Sequence, residues 1–277
     1  MKKRFLLLVV FLCFYVSGFC GRVDTIQVYS TSMHKNVPCV VILPDLYGKL
    51  QTDYPVVYLL HGYSGNYLDW ITRVPALEKY VDEFHLIIVC PDGGFSSWYF
   101  DSPIDSTMRY ETFMTKELVP DIDARYHTVT DRAHRGICGL SMGGHGALYL
   151  AIRHPGEFGA VASISGGVDI RPFPNNWDIK KRLGEIKTHR TNWEKNTVIN
   201  LVDSLKNGEL KIAIDDGVND IFIKENRALH QKLLRLHIDH DYTERPGAHN
   251  WAYWRNAIAY ELLFFRKYFY QAAYAAK

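Results

Sequence analysis

The sequence predicts an α/β fold of three layers, with helices covering both faces of a mostly parallel eight-stranded sheet that has an antiparallel start. Three observations point there. Short apolar runs of strand length recur eight times, long helix-period stretches alternate with the later runs, and the first two runs have no helix between them. The composition, 47% hydrophobic and 22% charged over 277 residues, supplies enough apolar side chains for a full core.

The chain opens with Lys2, Lys3 and Arg4 ahead of an apolar stretch from Phe5 to Val16, the layout of an export signal over residues 1–20. That stretch is too short for a stable membrane span, so cleavage after Gly18 or Cys20 is expected, with a periplasmic or secreted product. Lipidation at Cys20 is the alternative; against it, Phe19 stands where a small residue is expected. Without residues 1–20 the charged side chains number 29 basic against 30 acidic, which leaves no basic footprint for nucleic acid. Of five cysteines, Cys39, Cys90 and Cys138 remain, each inside an apolar run, and an odd number on core strands reads as buried free thiols.

Residues 21–277 read as a single domain. Strands over 26–29 and 39–43 form the antiparallel start, and a third follows at 56–60. A helix over 74–83 leads to a strand at 86–90, and a helix over 107–126 leads to a strand at 135–139. The helix over 143–154 precedes the strand at 160–164. Residues 169–205 are charged and weakly periodic, either a cap-like insertion over a site or a plain surface excursion. Strands at 210–214 and 240–243, with helices over 220–236 and 251–270, complete the pattern. No internal repeat or heptad appears, which excludes solenoids and coiled coils.

The most informative segment is Gly139-Leu140-Ser141-Met142-Gly143, a G-x-S-x-G pattern placed between a strand and a helix. A serine at the apex of so sharp a turn needs glycine two positions to either side, because a side chain there would strike the backbone. The N–H of Met142, at the start of the helix, would point to where an oxyanion forms beside the Ser141 hydroxyl. The second donor is expected from the loop after the third strand, Leu60-His61-Gly62-Tyr63, as the N–H of Tyr63.

Serine needs a base, and the base a carboxylate. Asp215, Asp216 and Asp220 follow the seventh strand; Asp220, after a glycine turn, is preferred over Asp216. Among twelve histidines, His249 lies in a loop between the last strand and the last helix, where a side chain can be aimed at the serine. The order Ser141, Asp220, His249 is that of α/β-hydrolases. The cluster from His237 to Asp241 fits no familiar metal spacing, and no metal site is expected.

The segments LLHGYSGNYLDW, PDGGFSSWYFDSP, ELVPDIDARYHTV, GLSMGGHGA, RHPGEFGAVASISGG, DDGVNDIF and GAHNWAYWRNA together resemble the esterase D-like family of α/β-hydrolases over residues 25–268. That family holds tributyrin-type carboxylesterases, feruloyl and acetylxylan esterases, S-formylglutathione hydrolases and mycolyltransferases. The resemblance implies Ser141 as nucleophile, Asp220 as acid, His249 as base, Tyr63 and Met142 as oxyanion hole, and no cofactor. Trp98, Tyr99, Phe100 and Asp101, after the fourth strand, are expected to line the substrate pocket, with ordinary core packing as the other reading.

The function read from the sequence is therefore an exported serine carboxylesterase. Its expected substrates are short-chain acyl or hydroxycinnamoyl (feruloyl) esters, small or linked to plant polysaccharide. An acyltransferase to a sugar hydroxyl and an S-formylglutathione hydrolase-like thioesterase are the alternatives, and an export signal argues against glutathione thioesters. A non-catalytic binding protein on the same fold is the remaining class.

Overall fold

Four central strands, Val56–Leu60, Ile87–Pro91, Arg135–Leu140 and Ala160–Ile164, are buried at every position. Only a sheet covered on both faces buries strands so completely. The computed structural model describes residues 22–275; the expected export signal and Cys20 lie outside the described residues.

In chain order the strands are β1 (Arg22–Ser30), β2 (Lys35–Leu43), β3 (Val56–Leu60), β4 (Ile87–Pro91), β5 (Arg135–Leu140), β6 (Ala160–Ile164), β7 (Lys211–Gly217) and β8 (Asp241–Arg245). They form one sheet ordered β1-β2-β4-β3-β5-β6-β7-β8. β1 pairs antiparallel with β2, and β2 antiparallel with β4. From β4 to β8 all neighbours are parallel, with β5 at the centre between β3 and β6. The expected antiparallel start and parallel body are both present.

The helices are α1 (Asp69–Arg73), α2 (Leu77–Phe84), α3 (Tyr110–Thr112), α4 (Val119–Arg125), α5 (Met142–Arg153), α6 (Ile179–Leu183), α7 (Arg190–Lys195), α8 (Val198–Leu201), α9 (Ile223–Arg235) and α10 (Trp251–Ala275). Successive strand residues face opposite layers: Cys138 joins the core under α1, α2 and α10, and Ile137 the core under α5, α9 and the 169–205 segment. Each fully buried Leu or Phe in these layers contributes about 1.5–3 kcal/mol through removal from water. Cys39, Cys90 and Cys138 are free and buried. Among the described residues no helix is long and apolar enough to cross a membrane.

Three helices depart from expectation, each for a local reason. The helix expected over 74–83 begins only at Leu77, as α2, and a separate short helix, α1, precedes it over Asp69–Arg73, with Pro75 between the two. The helix expected over 107–126 starts at Tyr110 and passes through a wide turn, Phe113–Leu118, before Pro120 in α4. Pro120 has no N–H to donate, and its ring would press on the Lys116 carbonyl in a regular α-turn. The helix expected from Asp220 begins at Ile223, because the Asp220 side chain accepts the Phe222 N–H at 2.8 Å and holds the chain in a turn.

The segment 169–205 carries α6, α7 and α8, each of four to six residues and so too short to show a period. It buries Ile179, Leu183, Trp193, Val198 and Val202 in the same core as α5.

Candidate active site

β5 delivers Ser141 to its C-terminal end, and the chain reverses there into α5. Ser141 has φ 55° and ψ −116°, a region that L-residues avoid and that costs of order 1–3 kcal/mol. Backbone bonds hold it there. Its N–H donates to the Ile164 carbonyl at 3.0 Å, and its carbonyl accepts from His145 at 3.0 Å and Gly167 at 3.3 Å. The flanking glycines are required by space: a Cβ on Gly143 would lie 2.5 Å from the Leu60 carbonyl oxygen, and one on Gly139 would strike the Gly143 carbonyl group.

β8 ends at Arg245, and the loop after it carries His249 over the same sheet edge. His249 Nε2 lies 2.9 Å from Ser141 Oγ, and His249 Nδ1 lies 3.0 and 2.9 Å from the two Asp220 oxygens. A carboxylate only accepts, so Nδ1 carries the proton and Nε2 is the acceptor for the serine hydroxyl. The Asp220 side chain is fully buried and that of His249 is 19% exposed.

Of the three acids, Asp215 and Asp216 at the end of β7 and Asp220 in the loop after it, only Asp220 reaches His249. Asp216 is buried and accepts the Gly217 N–H at 2.8 Å. Burial, and then the neighbouring Asp220, push its carboxyl up to about 8. Asp215 turns to the opposite side, toward Arg245 and Tyr253.

The loop after β3 passes directly beside the serine, since a Cβ on Gly62 would sit 3.4 Å from Ser141 Cβ. His61 is wholly buried: its Nδ1–H donates to the Gly62 carbonyl at 2.8 Å, and its Nε2 accepts the Gly93 N–H at 2.7 Å. Burial lowers its basicity, in keeping with this neutral double contact. The Gly62 carbonyl also accepts from Gly65 at 3.1 Å, so the peptide linking Gly62 to Tyr63 is pinned and its N–H faces the other way. Neither the Tyr63 nor the Met142 N–H has a hydrogen-bond partner among the described residues.

His145, one turn into α5, is fully buried and donates from Nδ1 to the Gly167 carbonyl at 3.0 Å. Burial pushes it down to about 4, so it remains neutral and ties α5 to the loop after β6.

Trp98, Tyr99 and Asp101, expected at the substrate pocket, each make structural contacts. Tyr99 is fully buried with its ring under Gly93 and Gly146, and its hydroxyl donates to the His61 carbonyl at 3.1 Å. Phe100 is fully buried against His145 and Tyr149. Asp101 accepts from the Thr112 N–H at 2.9 Å and pairs with Arg109 at 3.0 Å, which fixes the start of α3. Trp98 is 1% exposed and donates its indole N–H to the Trp177 carbonyl at 3.1 Å.

Beside His249 stand Trp254, edge-on at 5.0 Å, and Phe222, which is backed by aromatic residues of the 169–205 segment. Phe222 meets the His249 ring edge-on at 5.3 Å, and the half-buried Trp177 and Phe173 pack on Phe222 at 5.1 and 5.3 Å. The run Arg171-Pro172-Phe173-Pro174-Asn175-Asn176-Trp177 was visible in the sequence, but nothing in its period placed it at the histidine. Among the described residues no three His, Cys, Asp or Glu side chains converge as metal ligands would.

A strained serine between a helix N-terminus and a histidine that rests on a buried carboxylate, at the C-terminal edge of this sheet, defines the serine hydrolases of α/β fold. The Esterase family matches residues 30–265, and the chain belongs to that family. It is thus a serine carboxylic ester hydrolase. It is 27% identical over 259 residues to an acetyl esterase of Caldicellulosiruptor saccharolyticus, across 84% of this chain and 94% of that one. An endo-1,4-beta-xylanase/feruloyl esterase of Xylanibacter ruminicola is 31% identical over 158 residues, 53% of this chain and 22% of that much longer protein. Among solved structures, a ferulic acid esterase superposes with a TM-score of 0.79 at 29% identity, over 91% of this chain and 99% of its own.

Proposed function

We propose that this protein hydrolyses short-chain acyl or hydroxycinnamoyl esters through Ser141, His249 and Asp220, and that it acts outside the cytoplasm. The observation that carries the reading is the unbroken relay from Ser141 Oγ through His249 to Asp220, with contacts of 2.9–3.0 Å. His249 takes the Ser141 proton as the hydroxyl attacks the ester carbonyl, and the Tyr63 and Met142 N–H groups receive the oxyanion. The imidazolium then gives its proton to the leaving alcohol, which departs from the acyl-enzyme. Water activated by His249 releases the acid. Throughout the cycle Asp220 keeps the proton on Nδ1 and balances the imidazolium charge.

The substrate class rests on two supports. The half-buried Phe173 and Trp177, packed on the buried Phe222 beside His249, offer apolar surface suited to a phenolic ring, and the relatives named above are an acetyl esterase and feruloyl esterases. Export rests on the basic and apolar residues at the N-terminus. A panel running from p-nitrophenyl acetate and butyrate to methyl ferulate, with Ser141→Ala beside the wild type, tests the reading. The expected result is turnover reduced by ~10⁴-fold or more in the variant. Esterase activity near wild type in Ser141→Ala would overturn the assignment, and the preferred ester decides between the two acyl classes.

A further inference from the structure

The acid and the base of the relay leave neighbouring strands. β7 and β8 run parallel, with Gly217 opposite Arg245, so the Asp220 loop and the His249 loop emerge side by side. Two backbone bonds join the exits: the Val218 N–H donates to the Arg245 carbonyl and the Asn219 N–H to the Gly247 carbonyl, both at 2.9 Å. The approach is so close that a Cβ on Gly217 would lie 2.7 Å from the Gly247 carbonyl group.

Beneath this junction lies Asp215, 1% exposed, on β7, the strand that leads into the Asp220 loop. Its two oxygens take donors from two places in the segment that carries the base. The Arg245 guanidinium binds Oδ2, and the Tyr253 hydroxyl binds Oδ1. Arg245 lies four residues before His249 and Tyr253 four residues after it. One carboxylate therefore grips the histidine segment on both flanks. Tyr253 also fills the space under Gly247, where a Cβ would strike its ring. Burial, and then the bond to Asp215, push the Tyr253 phenol up, so it stays a donor. Burial, and then the neighbouring Asp215, push the buried Glu261 carboxyl up.

We propose that Asp215, with Arg245 and Tyr253, is a positioning device that sets His249 against Asp220 and Ser141. The inference rests on the triad reading above. None of the three side chains contacts the reacting atoms. Their effect is on the distance and angle at which the imidazole meets the serine, and a displacement of about 1 Å there can cost 10²-fold in rate.

Tyr253→Phe removes one oxygen and keeps the ring under Gly247. Arg245→Gln removes the charge, and Arg245→Lys restores it with a single donor point. Each variant is assayed for kcat and KM on the best ester of the panel, for its rate of labelling by a fluorophosphonate, and for its melting temperature. The expected result is a 10–100-fold fall in kcat for Tyr253→Phe and Arg245→Gln, with KM within about twofold. Labelling slows in parallel, and Arg245→Lys recovers at least tenfold over Arg245→Gln. Combining Tyr253→Phe with Asp215→Asn should cost little beyond Asp215→Asn alone, as residues sharing one partner are not additive. Folded variants with unchanged kcat and labelling rate, even with a lowered melting temperature, would overturn the proposal. So would a rise in KM at constant kcat. If Ser141→Ala itself retains activity, the triad reading fails first, and that control separates the two outcomes.

Discussion

At the scale of single residues, the position of each acid at the end of β7 and just after it decides its chemistry. Asp220 is buried yet accepts from both His249 and the Phe222 N–H, so its charge is matched. Replacing it by Asn keeps the shape and puts the wrong tautomer on His249; kcat is expected to fall by roughly 10⁴-fold with the fold intact, read from steady-state kinetics and a melting curve. At Asp216, four residues earlier, burial and the neighbouring Asp220 outweigh the hydrogen bonds it accepts, and its carboxyl sits at about 8. An acid raised in the folded state keeps a proton that the unfolded chain has lost. Stability should therefore fall as pH rises from about 4 toward 8. Asp216→Asn removes that dependence, so its melting temperature should exceed the wild type's by a margin that grows from pH 5 to pH 8. A margin that stays constant or shrinks would show that Asp216 ionises normally. Ser141, Asp220 and His249 were legible in the sequence as candidates, since motif and chain order mark them. Asp215 was legible only as an acid at a strand end, because its partners Arg245 and Tyr253 lie 30 and 38 positions away.

At the scale of elements, the junction of β5 and α5 works through close backbone approach. Gly143 lies against the Leu60 and His61 carbonyl oxygens, at 2.5 and 2.6 Å from where its Cβ would stand. Those carbonyls belong to the end of β3, which also carries the loop with Tyr63. Gly143→Ala should thus push the serine turn away from that loop, costing about 1–3 kcal/mol of stability as overpacking does and lowering kcat more than KM. Chemical denaturation and kinetics on the same sample check both parts. Strands and long helices were read from period alone and stand within a few residues of the expected bounds. The short helices of 169–205 were not, and the aromatic side chains of Phe173 and Trp177 went unplaced with them. A four-residue helix such as α8 carries too little pattern to be recognised, and it is stable only because Val198 is buried beside α5.

At the scale of the whole molecule, polar contacts join pieces of chain that are distant in sequence. Glu111, at the start of the third helical segment, accepts from Tyr149, Arg153 and His154 at the end of α5, at 2.6–2.8 Å. Burial alone would raise this carboxyl, but the hydrogen bonds from His154, Tyr149 and Arg153 outweigh it and hold it at about 2. A depressed carboxyl lends stability that is fully present above its unfolded value of about 4.5 and is lost as pH falls toward 2. Glu111→Gln should therefore melt lower than wild type at pH 7, with the difference closing between pH 4.5 and pH 2; a constant difference would show that the carboxyl's charge is not what matters. The sequence by itself determined the order of layers, the antiparallel start and the residues of the relay, because period, glycine spacing and chain order are local signals. Tertiary structure alone decided which aromatic side chains stand beside His249, which contacts Trp98, Tyr99 and Asp101 make, and which carboxylate grips the histidine segment. Those are contacts between residues far apart in the chain, and they exist only once the sheet has set the ends of its strands side by side.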